Sequence, residues 1–445
     1  MHLKKTFQGP PTRRVAAMSP AALAAQLGAR ARISLTPSSA FTPLRQALTL
    51  FHPHALWQWL GWSGVRRLVG RSEATRPAPV VVSPPSGVTG SPQELAALLR
   101  EELPAFRASM LISGALLFRG WGLQHNDHFD TALEALRSRP TDFFGTAPRC
   151  RLDSSRYLFR NVAFESAGAG DPGRLQRLFK LVWGSTNASS KSHLQLFNFH
   201  NELAYLTPQR HTAPIGAFAC ADAPQIGGST LLADCRRVLE SLEHQMGVDG
   251  LPVAFKYTIA RKPKDGVVQP RQTSGDYEGF LLGEYELDGV ADQWATGIDS
   301  SSGGSDESGT GSGTGREVAL RERAASLGLE VIDEGDDLAI WSSWIPTIRH
   351  HDITKEQTWW LNGNHMTLGA CGHPKLPFLF RFDNGVERAP TWEEAVIIST
   401  AFWRESSFFA WERGDLLLFD NQLVAHNASP GVGSRRILPS FGAAF

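Results

Sequence analysis

The chain has 445 residues, of which 42% are hydrophobic and 20% are charged, and its formal net charge at pH 7 is zero. This composition is typical of a globular protein with enough apolar material for a sizeable core. The sequence contains no run of eighteen apolar residues, so it predicts no helix that spans a membrane. Four widely spaced cysteines without a CxxC pair argue against a zinc knuckle and against a disulfide-stapled scaffold.

The charge is unevenly distributed along the chain. Ten Lys and Arg residues precede Glu73, the first acidic residue, and the remainder carries 34 basic and 44 acidic residues. Binding to nucleic acid through its phosphates needs clustered positive charge, so we expect no nucleic-acid partner. The acid-free N-terminus has the Arg-, Ala- and Ser-containing composition of a transit peptide. It predicts import into an organelle, a plastid or a mitochondrion, with a cytoplasmic location as the alternative.

Residues 1–77 are predicted to be a basic targeting or extension segment ahead of the main domain. Within it, residues 44–70 carry three tryptophans beside Arg66 and Arg67, a pattern typical of an interfacial membrane helix. Packing of this stretch on the folded domain is an equally good interpretation, so peripheral membrane association of the N-terminal region stays open. The Pro-rich stretch RPAPVVVSPPSG then indicates a linker and a first strand, and the main domain is predicted over residues 78–445.

Two helices and a strand are predicted after this linker. The stretch SPQELAALLREELPAF predicts a helix over residues 91–106, in which Ser91 and Glu94 form a capping box. The run GALLFRGWGL predicts a strand over residues 114–123, and HNDHFDTALEALRS begins a second helix. Much later, the Gly/Ser tract over residues 299–315 cannot bury apolar surface, so it is predicted to be a flexible, disordered insertion.

Four histidines are followed two residues later by an acidic residue, and one of these pairs lies in a strand-like run. The run is NFHNELAYL, in which His200 and Glu202 would project from the same face of a strand and could reach one metal ion together. The pairs at His125 and His128 open a predicted helix, where residues two apart diverge, and the pair at His350 lies in a polar turn. Taken alone, His200 and Glu202 are also typical of a satisfied polar patch.

The C-terminal region adds a second imidazole and an arginine to this pair. The stretch GDLLLFDNQLVAHNASPGVGSRRILPSF predicts a strand, a turn, a strand ending at His426, a second turn and a last strand that starts at the double arginine. Two imidazoles and one carboxylate leave three positions open on a ferrous ion, as an oxygen-activating centre requires. A 2-oxoacid with a second carboxylate could chelate this ion and place that carboxylate against a bidentate arginine.

Together these segments resemble the taurine dioxygenase-like family of Fe(II)- and 2-oxoglutarate-dependent oxygenases, in particular the clavaminate synthase-like branch with its His-x-Glu motif. The matching segments occur in the family's order from residue 78 onward, and they are LLFRGW, FHNELAY, APQIGGSTLLADCRRVLESL, WWLNGNHM and RGDLLLFDNQLVAHNASPGVGSRRIL. The resemblance implies a mainly β fold with flanking helices, the cupin-like double-stranded β-helix or jelly roll. It also implies Fe(II) as the metal, with 2-oxoglutarate and O2 as co-substrates.

The resemblance also assigns roles to individual residues. Three side chains are implied to hold the iron: His200, Glu202 and His426. Arg436 is implied to pair with the far carboxylate of 2-oxoglutarate, and Thr230 is similar to the threonine that hydrogen-bonds this carboxylate. Arg435 is the rival of Arg436, and only one of the two can enter the pocket because adjacent strand residues face opposite ways.

The chain departs from the family's pattern at three positions. Ser440 stands where relatives carry a second arginine, so no residue is assigned to bind the C1 carboxylate of 2-oxoglutarate. Asn427 and Ala428 stand where many relatives carry Gly and Arg, so a contact on the substrate side differs. Polar residues near the motif strands are the candidates for substrate contact, namely Arg160, Asn198, Tyr205 and Asn362.

The implied reaction is hydroxylation of a small-molecule substrate with release of succinate and CO2, and desaturation or ring closure would use the same ligands. Glu202 argues against halogenation, which needs a small residue in place of the carboxylate ligand. Two other classes of protein fit the same residues. One is a catalytically degenerate oxygenase fold used for binding, and the other is a metal-dependent hydrolase or isomerase with this triad.

Overall fold

The structure is a computed structural model, and it describes residues 17–35, 79–137, 199–201, 204, 215–223, 226–227, 229–263, 321, 325, 329–335, 337–370, 377–428, 431–432 and 436–442. The Gly/Ser tract at 299–315 and the tryptophan-rich stretch at 44–70 lie outside these residues, so the expectations for both stay predictions. None of the described helices is both long and apolar enough to cross a membrane.

The α-helices in the described ranges are α1 (Pro20–Leu27), α2 (Pro92–Ser113), α3 (Asn126–Arg137), α4 (Cys235–Met246), α5 (Gly363–Ala370) and α6 (Trp392–Arg404). The capping box predicted for α2 is confirmed. Ser91 Oγ accepts a hydrogen bond from the Glu94 N–H, and the Glu94 side chain accepts one from the Ser91 N–H. α2 continues past Pro104, beyond its predicted end, and stops at Gly114, whose φ of 72° favours glycine.

The strands in the same ranges are β1 (Arg32–Leu35), β2 (Val80–Ser83), β3 (Ala115–Phe118), β4 (Ile215–Asp222), β5 (Ile226–Gly227), β6 (Thr230–Asp234), β7 (Ala254–Pro263), β8 (Leu329–Glu334), β9 (Asp337–Ser342), β10 (Ile345–Pro346), β11 (Ile348–His350), β12 (Gln357–Trp359), β13 (Phe378–Arg381), β14 (Glu387–Arg388), β15 (Ser406–Phe409), β16 (Leu416–Asp420), β17 (Val424–Ala428), β18 (Gly431–Val432) and β19 (Arg436–Gly442). The run predicted as a strand over residues 114–123 contains β3, which ends at Phe118. The strand, turn and strand pattern predicted for the C-terminus is confirmed as β16, β17 and β19, although β17 continues past the predicted end at His426 to Ala428.

Two sheets frame the candidate site. The major sheet has the strand order β1-β2-β3-β16-β4-β19, and all neighbours in it are antiparallel except β2 and β3. The minor sheet has the order β15-β6-β17, and a backbone bridge between His426 and His200 extends it beyond β17. A further sheet has the order β14-β13-β7-β9-β8, and β11 pairs with β12 and β5 with β18 in two small sheets.

The major and minor sheets share one apolar cluster, the inter-sheet cluster. Side chains alternate between the two faces of a strand, and the inward-facing members of the cluster include Leu117, Phe218, Cys220, Leu417 and Phe419 of the major sheet and Leu232, Phe409 and Val424 of the minor sheet. The other face of the major sheet, with Leu116 and Leu418, packs on α2 and α3. The other face of the minor sheet, with Leu231 and Ala233, packs on α4 and α6. A mainly β fold with flanking helices is therefore confirmed.

Residues 20–35 belong to this fold, although they precede the predicted domain start at residue 78. β1 pairs with β2 and forms one edge of the major sheet. Leu23 and Leu27 of α1 and the following Ala31 are buried in the apolar cluster beneath α2 and α3. Composition alone cannot separate a short core helix from a targeting sequence, because both are rich in Ala and Leu. The folded part thus starts earlier than the composition of the N-terminus indicates.

Candidate functional site

His200 and His426 lie opposite each other at the β17 edge of the minor sheet. Their backbones form an antiparallel bridge, in which the N–H of each residue donates to the carbonyl oxygen of the other at 3.1 and 3.0 Å. The centroids of their imidazole rings are 4.3 Å apart. Directly opposed residues of an antiparallel pair project from the same face, so this bridge brings two imidazoles together from distant parts of the chain.

The imidazole of His426 lies between the two sheets. His426 follows Val424 by two residues on β17, and Val424 belongs to the inter-sheet cluster. The His426 ring packs against Phe218 and Phe419 of the major sheet at centroid distances of 4.9 and 5.3 Å. A Cβ at Gly216 would lie 2.1 Å from the Phe419 ring. Glycine at this position therefore lets the Phe419 ring lie beside His426.

The two imidazoles fit a shared metal ion. Metal–nitrogen bonds are about 2 Å long, and rings with centroids 4.3 Å apart are close enough for one nitrogen of each to reach the same ion. Within the described ranges, no group of three or more His, Cys, Asp or Glu side chains is arranged to hold a metal. Glu202, the predicted third ligand, lies outside those ranges, so the complete triad stays a prediction.

Thr230, the predicted contact of 2-oxoglutarate, lies on the same inner face as His426. On β6, Leu232 enters the inter-sheet cluster, and Thr230 precedes it by two residues. β6 pairs with β17 so that Leu232 is opposite His426 and Thr230 is opposite Ala428. The Thr230 side chain is buried, and its Oγ1 accepts a hydrogen bond from Trp411 Nε1 at 3.1 Å. This bond holds the hydroxyl of Thr230 on the face of the minor sheet that also carries His426.

Arg436 is the first residue of β19, which lies next to β4 in the major sheet. Its backbone is opposite Asp222, and the register shifts between Arg436 and Ile437. Ile437 is buried in the inter-sheet cluster. The side chain of Arg436 and the whole of Arg435 lie outside the described part of the chain, so the choice between the two arginines stays a prediction.

Asn362 lies on the side of His200 away from His426. It forms an antiparallel bridge with His200, and the N–H of Gly363 donates to the carbonyl of Phe199 at 2.9 Å. The Asn362 side chain is buried, and its Nδ2 donates to the hydroxyl of Tyr257 at 3.3 Å. The other predicted substrate contacts lie outside the described residues, namely Arg160, Asn198 and Tyr205.

Asn201 is a buried anchor that the sequence pattern did not single out. Its Nδ2 donates to the backbone carbonyls of Asn421 at 2.8 Å and Val424 at 3.4 Å, and its Oδ1 accepts from the Leu361 N–H at 3.4 Å. These bonds hold the segment of His200 against the turn before β17, and thereby against His426. The only signal in the sequence was the position of an amide between the two predicted ligands.

His351 and Asp420 also fix the turn before β17, the turn that Asn201 holds. His351 Nε2 lies 3.0 Å from Asp420 Oδ2, and both side chains are buried. Asp420 Oδ1 also accepts a hydrogen bond from the Gln422 N–H at 2.9 Å. The sequence predicts a polar turn here, and His350 is indeed exposed, but its neighbour His351 is an interior residue.

An ion pair between Arg119 and Asp415 ties the end of β3 to the loop before β16. Arg119 donates from Nε at 2.9 Å and from Nη2 at 2.6 Å to the two carboxylate oxygens, and Nη2 also donates to the Ala410 carbonyl. Burial raises the pKa of Asp415 to about 6, and the hydrogen bond and charge of Arg119 oppose this shift. The same loop carries Trp411, the donor to Thr230. The ion pair therefore supports the loop that orients Thr230.

Comparisons with known proteins give likenesses in structure only. No family model matches the chain, and no curated protein matches it. A candidate alpha-ketoglutarate dependent 2,4-D dioxygenase from Burkholderia xenovorans is 13% identical with a TM-score of 0.35, over 84% of this chain and 95% of that one. AAD-2 in complex with Mn(II) and N-oxalylglycine is 10% identical with a TM-score of 0.39, over 82% of this chain and 95% of that one.

A third similar structure is a candidate alpha-ketoglutarate-dependent taurine dioxygenase from Burkholderia xenovorans. It is 12% identical with a TM-score of 0.38, over 82% of this chain and 89% of that one. Likenesses at these TM-scores carry no argument about the function of this chain. Two of these three similar structures are described as alpha-ketoglutarate-dependent dioxygenases.

Proposed function

We propose that the chain is an Fe(II)- and 2-oxoglutarate-dependent dioxygenase with a double-stranded β-helix fold, which hydroxylates a small molecule and releases succinate and CO2. The observation that carries this proposal is the backbone bridge between His200 and His426, with ring centroids 4.3 Å apart at the inner face of the minor sheet. Two imidazoles and one carboxylate are the donor set of non-haem Fe(II) oxygenases. The sequence supplies the carboxylate two residues after the first histidine.

The residues of the chain have separate tasks in this proposal. His200, His426 and Glu202 would hold the iron, which together with 2-oxoglutarate and O2 supplies the hydroxylation chemistry. Thr230 and Arg436 would orient the far carboxylate of 2-oxoglutarate. Phe218 and Phe419 surround His426 on the side of the major sheet and exclude water there. Asn201, His351 and Asp420 keep the two histidines in register by fixing the turn before β17.

Anaerobic titration of the purified protein with Fe(II) and 2-oxoglutarate tests this function. We expect the weak visible charge-transfer band of an iron-bound 2-oxoacid, followed by slow succinate formation when O2 is admitted without substrate. Neither signal should form when 2-oxoglutarate is replaced by glutarate, which lacks the keto oxygen. Absence of the band from folded protein would favour a degenerate binding fold. A band without O2-dependent succinate would favour a hydrolase or isomerase.

Replacing Arg436 with lysine should weaken 2-oxoglutarate binding about 10-fold or more. Lysine keeps the charge but loses the planar, bidentate geometry, and a hydrogen bond to a charged group contributes about 1.5–3 kcal/mol. Titration of the charge-transfer band with 2-oxoglutarate measures this affinity, and the Fe(II) affinity should change much less. Arg435→Lys is the matched control. If Arg435→Lys has the larger effect, the neighbouring arginine binds the carboxylate.

A further inference from the structure

Arg349 is a buried cation outside the residues assigned above. It lies on β11, is 7% exposed, and its guanidinium carbon is 4.3 Å from the ring centroid of Trp360. Its Nε is buried and has no hydrogen-bond partner among the described residues. Burial lowers the pKa of Arg349 to about 10, and the charge of Asp352 opposes this, so the guanidinium stays protonated at neutral pH. A buried charge of this kind is costly unless an anion neutralises it.

Other cations that stack on aromatic rings in the described ranges have a carboxylate partner. Arg381 lies over Trp344 and pairs with Glu387 at 2.7 Å. Arg388 over Phe382 pairs with Glu394 at 2.6 Å, and Lys256 beside Trp341 pairs with Glu330 at 2.6 Å. All three of these partners are acidic residues of the chain itself. For Arg349 the described residues provide no carboxylate within ion-pair distance.

The register of the strands places Arg349 on the same face of the extended minor sheet as His200. Arg349 is opposite Thr358 on β12. Thr358, Trp360 and Asn362 are spaced by two, so in an extended chain they share one face. The strand pairing continues from β12 to Asn362. The Trp360 N–H donates to the carbonyl oxygen of Thr347, just before β11, at 2.7 Å, and Asn362 forms the bridge with His200.

The distance between the Arg349 guanidinium and the bridge of His200 and His426 suits one small molecule. Two strand spacings separate β11 from the strand of His200, which is about 10 Å across the sheet. The four residue-to-residue steps from Thr358 to Asn362 add about 13 Å along it. The Arg349 side chain turns back over Trp360 and so shortens this separation. A molecule with an anionic group at one end could reach from the guanidinium to the histidine bridge.

We propose that Arg349 recognises a carboxylate of the substrate, at the end of the substrate remote from His200 and His426. The inference rests on the proposed function, since it places the reacting part of the substrate at His200 and His426. A monocarboxylate matches the single positive charge of one guanidinium and its two parallel donors. A phosphate dianion would leave one negative charge uncompensated in a buried site that already faces the charge of Asp352.

Binding of hexanoate to the metal-free protein tests the carboxylate site without turnover. Calorimetric titration should detect hexanoate binding to the wild type, and its neutral isostere hexanamide should bind at least about 10-fold more weakly, as expected for a charge-assisted pair. Arg349→Met should lose hexanoate affinity to the level of hexanamide. Arg381→Met, which removes a stacked arginine with its own carboxylate partner, should keep it. Arg436→Met should also keep it.

Several results would overturn this assignment. The first is a wild type that does not prefer hexanoate, and the second is equal affinity in Arg349→Met. The third is a loss of affinity in Arg436→Met alone, which would place hexanoate in the 2-oxoglutarate site. Thermal unfolding gives an independent readout, because removing an unpaired buried charge should leave the melting temperature unchanged or higher. A fall of many degrees, or failure of Arg349→Met to fold, would mean that an acid of the chain already neutralises Arg349.

Formation of the charge-transfer band distinguishes a failure of this inference from a failure of the proposed function. We expect Arg349→Met to form the band with Fe(II) and 2-oxoglutarate as the wild type does. If the wild type forms no band but binds hexanoate through Arg349, the oxygenase proposal fails and the carboxylate site stands. If both proteins form the band but neither prefers hexanoate, the oxygenase proposal stands and the carboxylate site fails.

Discussion

Replacing His426 with alanine is expected to lower 2-oxoglutarate turnover by at least about 100-fold, because loss of residues that merely support a metal ligand already costs about 10- to 100-fold. The fold should survive, since β17 is held by backbone pairing with β6 and with His200. Succinate formation measures turnover, and circular dichroism with thermal unfolding measures the fold. His200→Ala and Glu202→Ala should show the same loss.

The matched control is His244→Ala. His244 is an exposed histidine in the last turn of α4, and its replacement should change neither turnover nor Fe(II) binding. Full turnover in folded His426→Ala would contradict the assignment of the metal centre. Lost turnover with normal Fe(II) binding would instead mean that His426 acts by packing between Phe218 and Phe419.

Replacing Arg119 with methionine is expected to lower the free energy of unfolding by about 3 kcal/mol at pH 7.5. The substitution leaves Asp415 buried without its cation, and breaking a buried ion pair costs about 3–5 kcal/mol. We expect the lower end of this energy range because only one partner is fully buried: the Arg119 side chain is 24% exposed, whereas Asp415 is 1% exposed. Urea unfolding followed by circular dichroism measures the change. Arg413→Met removes an exposed arginine near the same ion pair, and it should change the stability by no more than about 0.5 kcal/mol.

The same variant should show a distinctive dependence on pH. Burial raises the pKa of Asp415 from 3.8 to about 6 in the folded protein, so the folded state favours the protonated carboxyl. Ionisation of this group therefore costs stability as the pH rises from about 4 through 6. Without Arg119 this cost is larger, so the deficit of Arg119→Met should be greatest above pH 6 and should shrink near pH 5. An equal deficit at pH 5 and pH 7.5 would mean that the loss comes from packing and not from the charge of Asp415.

Local features of the fold could be predicted from the sequence because their causes are local. The capping box of Ser91 and Glu94 and the alternation around His426 depend on residues a few positions apart. From the sequence, the bridge between His200 and His426 could be predicted only by assuming that two distant segments meet in the fold. Spacing alone leaves a satisfied polar patch as an alternative, and it is the resemblance to a family that favours a metal site.

Other features depend on contacts between distant segments, and no local pattern in the sequence indicates them. Asn201 is buried because its amide satisfies carbonyls from the turn at Asn421. Arg349 and His351 lie in a polar stretch that predicts an exposed turn, yet Trp360 and Asp420 bury them. Polar residues are assigned to the surface by default, so an interior amide, guanidinium or imidazole is the kind of residue that pattern reasoning misses.

The place of β1 limits how the protein can be matured, if its acid-free N-terminus does direct import. A processing peptidase that cut within residues 36–77 would remove an edge strand and expose the hydrogen-bonding groups of β2, which invites pairing with other chains. A cut that spares both α1 and β1 must fall before Ser19, whose side chain caps α1. Sequencing the N-terminus of the protein isolated from its organelle would locate that cut.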